Sequence, residues 1–248
     1  VPGLTNKFLS RYASAVAVSF ADSLPHFARV GNAKHAGNPV ASMVAKADKK
    51  KGFASLGLAP GTPFVLAVGG SRGAKAVNEA IMEMLPGFDG LGEVHLVFVT
   101  GERYYEEAQT RLAGLPAELS KRVHALSYVH NMPEVLAAAS LIVSRAGASS
   151  LAEITSLGVP SVLIPSPNVT NNHQQPNAES LASAGAAVMI LEKDLNGESL
   201  LASVSSIMRD PARRERMAAA SRGLGMPEAA ETIYEQMLQA IRASKRRR

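Results

Sequence analysis

The chain has 248 residues, 46% hydrophobic and 19% charged, enough to bury a full core and far from a disordered composition. It contains no cysteine, which excludes disulfides, thiolate metal sites and a cysteine nucleophile. The formal charge of +5 is matched by Arg242, Lys245, Arg246, Arg247 and Arg248 alone, so the basicity describes a tail and argues little for nucleic acid.

Residues 1 to 39 read as a helical pattern from Thr5 to Tyr12, a strand from Ala15 to Phe20, a short helix from Asp22 to Phe27 and a polar stretch ending in Gly37-Asn38-Pro39. One strand and two helices are too little to bury a core. Together with Val1 in place of Met, this leads to the expectation of a chain that begins partway through a fold. No apolar run reaches the roughly 18 to 20 residues of a membrane span and no signal peptide is seen, so a cytoplasmic location is expected. Lys46, Lys49, Lys50 and Lys51 lie on a charged helical stretch that reads as a solvated face.

From Phe64 the rhythm is regular. Short apolar runs at Phe64–Val68, Val94–Val99, Val123–Leu126, Leu141–Val143, Ser161–Ile164 and Ala187–Ile190 alternate with helical patterns at Ala74–Leu85, Tyr104–Leu112, Pro133–Ala139, Ser149–Leu157 and Gln175–Ala184. Such alternation predicts an α/β, Rossmann-like, doubly wound parallel sheet with both faces covered. The chain ends in helix, with Ala230, Ile233, Tyr234, Met237, Leu238 and Ile241 on one face expected to pack into the core.

Ligands of such sheets bind outside the carboxyl ends of the strands, and three of these ends carry unusual sequence. Gly69-Gly70-Ser71-Arg72-Gly73-Ala74 opens a helix after the Phe64 strand. It is neither a Walker A loop nor the dinucleotide fingerprint, and by itself fits a tight turn as well as a phosphate site. Ser144-Arg145-Ala146-Gly147-Ala148-Ser149-Ser150 again joins strand to helix, with Ser149 or Ser150 as a cap and Glu153 inside the helix. Glu153 reads either as a solvent-exposed helix carboxylate or as an acceptor for two ribose hydroxyls. Pro165 to Asn177 is rich in amides and hydroxyls and free of carboxylates, which suits sugar hydroxyls better than a metal, and His173 has no neighbouring ligand. His95 reads as structural, His124 and His130 as flanking the Val123 strand end, and the turn Ser127 to Met132 as a source of backbone groups for a base. Diphosphate, ribose and sugar together describe a nucleotide sugar.

These stretches resemble the MurG family of glycosyltransferases: Gly69 to Ala74 with Asn78, Tyr128-Val129-His130-Asn131-Met132, Arg145 to Glu153, His173-Gln174 with Asn177-Ala178, and, nearer the start, Gly3-Leu4-Thr5-Asn6-Lys7 and Gly37-Asn38-Pro39-Val40. The resemblance runs in order along nearly the whole chain. It implies a GT-B donor domain at residues 40–226, a remnant of the acceptor domain at 1–39, and a C-terminal helix and basic tail at 227–248. The implied activity is inverting, metal-independent transfer of N-acetylglucosamine from UDP-GlcNAc to the undecaprenyl-linked acceptor lipid I, giving lipid II. The work would be done peripherally on the cytoplasmic face of the cell membrane, with UDP-GlcNAc as substrate, no cofactor and no nucleic acid.

By the same resemblance, Ser71, Arg72 and the backbone of Gly147, Ala148 and Ser149 hold the diphosphate. Glu153 takes the ribose, Val129 meets the uracil through its backbone, His173 and Gln174 face the GlcNAc hydroxyls, and Asn177 supports that loop. The catalytic base is expected in acceptor-domain sequence that this chain does not contain. The chain departs from the family where an arginine near the donor usually follows Gly-Asn-Pro; here stand Val40 and Ala41, with Arg72 as a candidate substitute. Two other readings remain: a nucleotide-sugar-binding subunit needing a separate acceptor-binding partner chain, and a module binding nucleic acid through its tail.

Overall fold

The computed structural model of the chain describes residues 3–70, 73–169 and 172–245, with side chains to 243. It opens with α1 (Leu4–Leu9), β1 (Val16–Val18), a 3-10 turn over Ala21–Phe27 and β2 (Ala33–His35). Then come α2 (Val40–Val44), α3 (Lys49–Ser55), β3 (Phe64–Val68), α4 (Lys75–Phe88), β4 (His95–Val99), α5 (Glu102–Leu112), α6 (Ala117–Ser120) and β5 (Val123–Leu126). Further on lie α7 (Met132–Ala138), β6 (Leu141–Ser144), α8 (Ala148–Leu157), β7 (Ser161–Leu163), α9 (Gln174–Ser183), β8 (Ala187–Met189), α10 (Gly197–Met208), α11 (Pro211–Leu224) and α12 (Ala229–Lys245).

Strands β3 to β8 form one parallel sheet in the order β5-β4-β3-β6-β7-β8. Side chains alternate across it. Val65, Ala67, Leu96, Phe98 and Val143 meet α4, α5 and α10 on one face, while Phe64, Leu66, Val97, Ile142 and Leu163 meet α3, α7, α8 and α9 on the other. Each of the two apolar clusters has the sheet as one wall, which is why the strands read as continuous hydrophobic runs. Direction of winding reverses between β3 and β6, and the crevice at that switch point is where open sheets of this kind bind ligands.

β1 and β2 form a separate two-stranded parallel sheet, Val16 opposite Ala33 and Val18 opposite His35. β2 lies in what the sequence presents as a polar stretch; Ala33-Lys34-His35 carries no apolar run because little of it is covered. Helix α4 also outruns its sequence pattern, continuing through Pro86 to Phe88, whose side chain is fully buried.

The last helix corrects the expected core face. Ala229 and Gln236, two turns apart, are the buried positions, whereas Tyr234, Met237 and Ile241 are exposed. Gln236 Nε2 donates to Val16 O at 3.2 Å and Asn32 O at 2.9 Å, so α12 is held to the small sheet by backbone carbonyls more than by its apolar stripe. His124 likewise lies within β5 and does not flank it. Its Nε2 is 2.9 Å from His95 Nδ1, with ring planes 11° apart and centroids 5.2 Å apart. That centroid spacing is what two coplanar rings joined edge to edge through one shared proton require. Burial lowers the pKa of both.

Candidate functional site

Two loops flank the switch point, one after β3 and one after β6. In the first, Ser71 and Arg72 lie outside the described residues; Gly69, Gly70, Gly73 and Ala74 are described. Gly73 has φ +71°, and a side chain there would put its Cβ 2.3 Å from Thr100 O, so only glycine fits. The turn is thereby pressed against the end of β4. Buried Asn78 donates from Nδ2 to the same Thr100 O at 2.9 Å. Helix α4 then starts at Lys75 with no side-chain cap from Ala74, leaving its first N–H groups without a side-chain acceptor among the described residues.

The second loop differs from the expected serine cap. Helix α8 starts at Ala148, its N-cap is Gly147 with φ −69° and ψ 142°, and no side chain caps it. Ser149 and Ser150 fall inside the first turn because the strand ends one residue later than its apolar run, at Ser144, and the helix starts one residue sooner. Ser149 Oγ instead accepts from Asn38 Nδ2 at 3.5 Å, a contact that ties the segment before α2 to this helix start. Positions Val40 and Ala41 lie in α2 against α8; Ala41 is buried and its carbonyl accepts from Ser156 Oγ at 3.0 Å.

Arg145 does not face the crevice as an anion ligand. Its guanidinium turns inward, donating to Ile164 O at 3.2 Å and pairing with Glu192, both side chains largely covered. This residue fastens together the loops after β6, β7 and β8. Glu192 lies far along the chain in a 3-10 turn, and no sequence spacing announces it.

Glu153 is half-buried on α8, one and a half turns past Ala148. It has neither an ion-pair nor a hydrogen-bond partner among the described residues, and burial raises its pKa. This is not the solvated helix carboxylate of the first reading. Desolvation without compensation disfavours its charged form and leaves both oxygens available as acceptors.

The loop after β7 is built from its own amides. Gln174 Oε1 accepts from Ser166 N at 3.0 Å, and Asn172 Nδ2 donates to Gln175 Oε1 at 2.8 Å. Asn177 Nδ2 donates to Ala146 O at 3.2 Å, bracing this loop against the start of α8. Ala148, His173 and Asn177 share one cleft of about 490 Å³ with Asn6, Ser10 and Ser19 from the small unit. Val129 is not among them. It sits after β5 with its side chain buried in the same apolar cluster as Ala146 and Leu151. Tyr128 and His130 on either side point outward and contact each other edge to face, ring centroids 5.0 Å apart. Among the described residues, no three His, Asp or Glu side chains cluster as metal ligands would.

Known proteins resemble this chain in sequence and in fold. The transferase named UDP-N-acetylglucosamine--N-acetylmuramyl-(pentapeptide) pyrophosphoryl-undecaprenol N-acetylglucosamine transferase 1, from Bacillus cereus, is 44% identical over 244 residues, 98% of this chain and 65% of its own length. A transferase of the same name from Halalkalibacterium halodurans is 44% identical over 94% of this chain and 63% of its own. The chain thus spans somewhat under two thirds of these curated relatives. Among solved structures, MurG of Acinetobacter baumannii superposes with a TM-score of 0.73 at 27% identity, covering 96% of this chain and 63% of that one. UDP-GlcNAc 2-epimerase from Neisseria meningitidis, bound to UDP-GlcNAc, shares the fold with a TM-score of 0.67 at 16% identity, covering 93% of this chain and 62% of that one. The model of the glycosyltransferase family 28 C-terminal domain matches residues 64–233, and the chain belongs to that family.

Proposed function

We propose that this chain is the nucleotide-sugar half of a GlcNAc transferase of peptidoglycan synthesis. It binds UDP-GlcNAc across the switch point, and in the whole enzyme the sugar passes to the lipid-linked acceptor lipid I to give lipid II. The observation that carries this reading is Glu153: a half-buried carboxylate without a partner among the described residues, on the helix whose uncapped N-terminus opens onto the crevice. An anion at the helix end would satisfy the N–H groups, and a ribose behind it would satisfy the carboxylate. In this reading Ser71, Arg72 and the N–H groups of Ala148 and Ser149 hold the diphosphate. Glu153 holds the ribose, the Val129 backbone reads the uracil, and His173 and Gln174, braced by Asn177, meet the sugar.

Chemically, the acceptor hydroxyl attacks the anomeric carbon as the bond to the diphosphate breaks. Negative charge grows on the leaving UDP at the N-termini of α4 and α8, where aligned peptide dipoles and free N–H groups favour it. The acceptor would enter through the cleft shared with Asn6 and Ser10. Residues 1–39 with α12 would belong to the acceptor side and residues 40–226 to the donor side. A lipid-linked acceptor would place the work at the cytoplasmic membrane surface. No helix among the described residues is long and apolar enough to cross a membrane.

Calorimetry with UDP tests the donor site: binding in the micromolar to millimolar range is expected, and no heat at several millimolar ligand would remove the reading. One observation favours the second reading, a subunit completed by a separate acceptor-binding chain. Leu4, Phe8 and Tyr12 at the start, and Tyr234, Met237 and Ile241 on α12, all lie exposed. Capture of a membrane-bound partner that restores transfer activity would support it; transfer by the purified chain alone would exclude it.

A further inference from the structure

Arg145 and Ala146 stand side by side between the end of β6 and Gly147, the N-cap of α8. Between them they hold both ends of the loop that follows β7. At the near end, Ile164 N donates to Ser144 O at 2.9 Å and Arg145 Nη1 donates to Ile164 O at 3.2 Å, so both backbone groups of Ile164 are tied to the end of β6. Just past the far end, in the first turn of α9, Asn177 Nδ2 donates to Ala146 O at 3.2 Å. The other terminal nitrogen of Arg145 pairs with Glu192, in the 3-10 turn after β8. Ala146 and Ile164 are fully buried, and the side chains of Arg145 and Glu192 are only 16% and 22% exposed.

Stability alone does not call for such a pair. Taking two charges out of water offsets much of their attraction, and apolar side chains of similar volume often serve as well or better. What the guanidinium supplies is geometry, a rigid planar fork that holds a carbonyl and a carboxylate in fixed directions at once. Here the fork joins three strand ends at the point where α8 begins.

We infer that Arg145, held by Glu192, is a positioning residue for the donor: it sets the spacing between the N-terminus of α8 and the loop after β7. Arg145 does not touch the ligand. In the donor-site reading the diphosphate lies at the start of α8 and the sugar at His173 and Gln174, so this spacing is the distance a nucleotide sugar must span. The inference rests on that reading and deepens it, because it concerns the fit between the two halves of the ligand and not either contact alone.

The experiment measures Kd for UDP and for UDP-GlcNAc by calorimetry, in the full chain and in the double variant Arg145→Met/Glu192→Leu, which exchanges the pair for apolar side chains. UDP ends on the α8 side of the spacing, whereas UDP-GlcNAc spans it. A merely structural defect would weaken both ligands in parallel. The expected result is a Kd for UDP-GlcNAc raised about tenfold with the Kd for UDP within twofold of the parent, so that the ratio of affinities shifts about tenfold. An unchanged ratio, whether both constants stay put or both shift together, overturns the inference. Should the double variant not fold, Arg145→Lys, which keeps the charge and loses the fork, carries the same ratio test. A parent chain that binds UDP but not UDP-GlcNAc would also overturn the inference, since no sugar would then lie across the spacing. Absence of UDP binding by the parent chain would instead overturn the donor-site reading, so the two failures are distinguishable.

Discussion

Helix N-termini in this protein are of two kinds, with and without a cap from the chain's own side chains. Three helices away from the switch-point crevice are capped, although α5, α6 and α7 show that an uncapped start also occurs elsewhere. Asp48 accepts from Lys50 N before α3, Asn196 forms a reciprocal capping box with Ser199 before α10, and Asp210 accepts from Arg213 N before α11. At the crevice, α4 follows Ala74 and α8 follows Gly147, and neither has a side-chain cap. The backbone requirement is the same in both places. Where the chain closes its own helix ends, the groups serve stability. Where it leaves them open beside a half-buried carboxylate, as at α8, the proposed donor site would use them.

That contrast can be broken from either side. The largest effect is expected from giving α8 the cap it lacks. Gly147 has an extended backbone that any residue tolerates, and an added Cβ would come no closer than 3.9 Å to Ser150 Oγ. Gly147→Asp should raise stability by a few tenths of a kcal/mol, measured by denaturant midpoint, since Asp caps only slightly better than Gly. The same carboxylate, placed where a diphosphate would lie, should weaken UDP binding by about 2 kcal/mol, close to thirtyfold. Unchanged UDP affinity would mean that the open end of α8 is not an anion site.

A smaller effect is expected at Glu153. Glu153→Gln should lose about tenfold in UDP affinity, as one charge-assisted hydrogen bond is weakened. It should also make the free protein more stable at neutral pH. Burial raises the pKa of this carboxyl above the ordinary 4.5, so between that value and its folded-state pKa the native form holds more protons than the unfolded one. Its contribution to stability therefore falls as pH rises through that window and stays low above it. His95 and His124, whose pKa values are lowered by burial, act in the opposite sense by costing stability as pH falls below 6.5. The difference between parent and Glu153→Gln isolates the glutamate: near zero below about pH 4.5 and in favour of the variant above it.

The smallest effect on binding is expected on the closed side. Asp210→Ala should cost about 1 kcal/mol of stability, read from urea unfolding, while UDP affinity stays within twofold. A binding loss there would show that the two classes of helix end are not separate in function.

The six-stranded sheet was legible because each of its strands is covered on both faces, which makes a continuous apolar run such as Phe64–Val68 or Leu141–Val143. β2 was not, because pairing in a two-stranded sheet asks for backbone hydrogen bonds and almost no apolar side chains. Helix α12 misled for the converse reason. Its buried position two turns in is Gln236, chosen for two carbonyls, while Tyr234, Met237 and Ile241 of its apolar stripe are exposed. At the site, the presence of a carboxylate at Glu153 could be read from spacing, but its desolvation could not, since that depends on what α2 and the neighbouring loops cover. The serine pair at Ser149 and Ser150 looked like a cap because composition cannot show where a strand lets go. The Arg145–Glu192 pair joins residues from opposite ends of the β6–β8 segment, and only folding brings them together.

The chain leaves the small unit at Gly37 and returns to it at Met226 and Ala229, and these crossings touch. A Cβ on Gly37 would lie 2.8 Å from Met226 Cβ and 2.9 Å from Ala229 Cβ, and Ser42 Oγ accepts from Ala230 N at 3.0 Å beside them. A body tied to another at two distant points is locked. Tied at two adjacent points, it keeps one easy rotation, about a line through both. The two places where the chain crosses between the small sheet and the six-stranded sheet thus lie side by side, so a rotation about the line through them would stretch neither crossing.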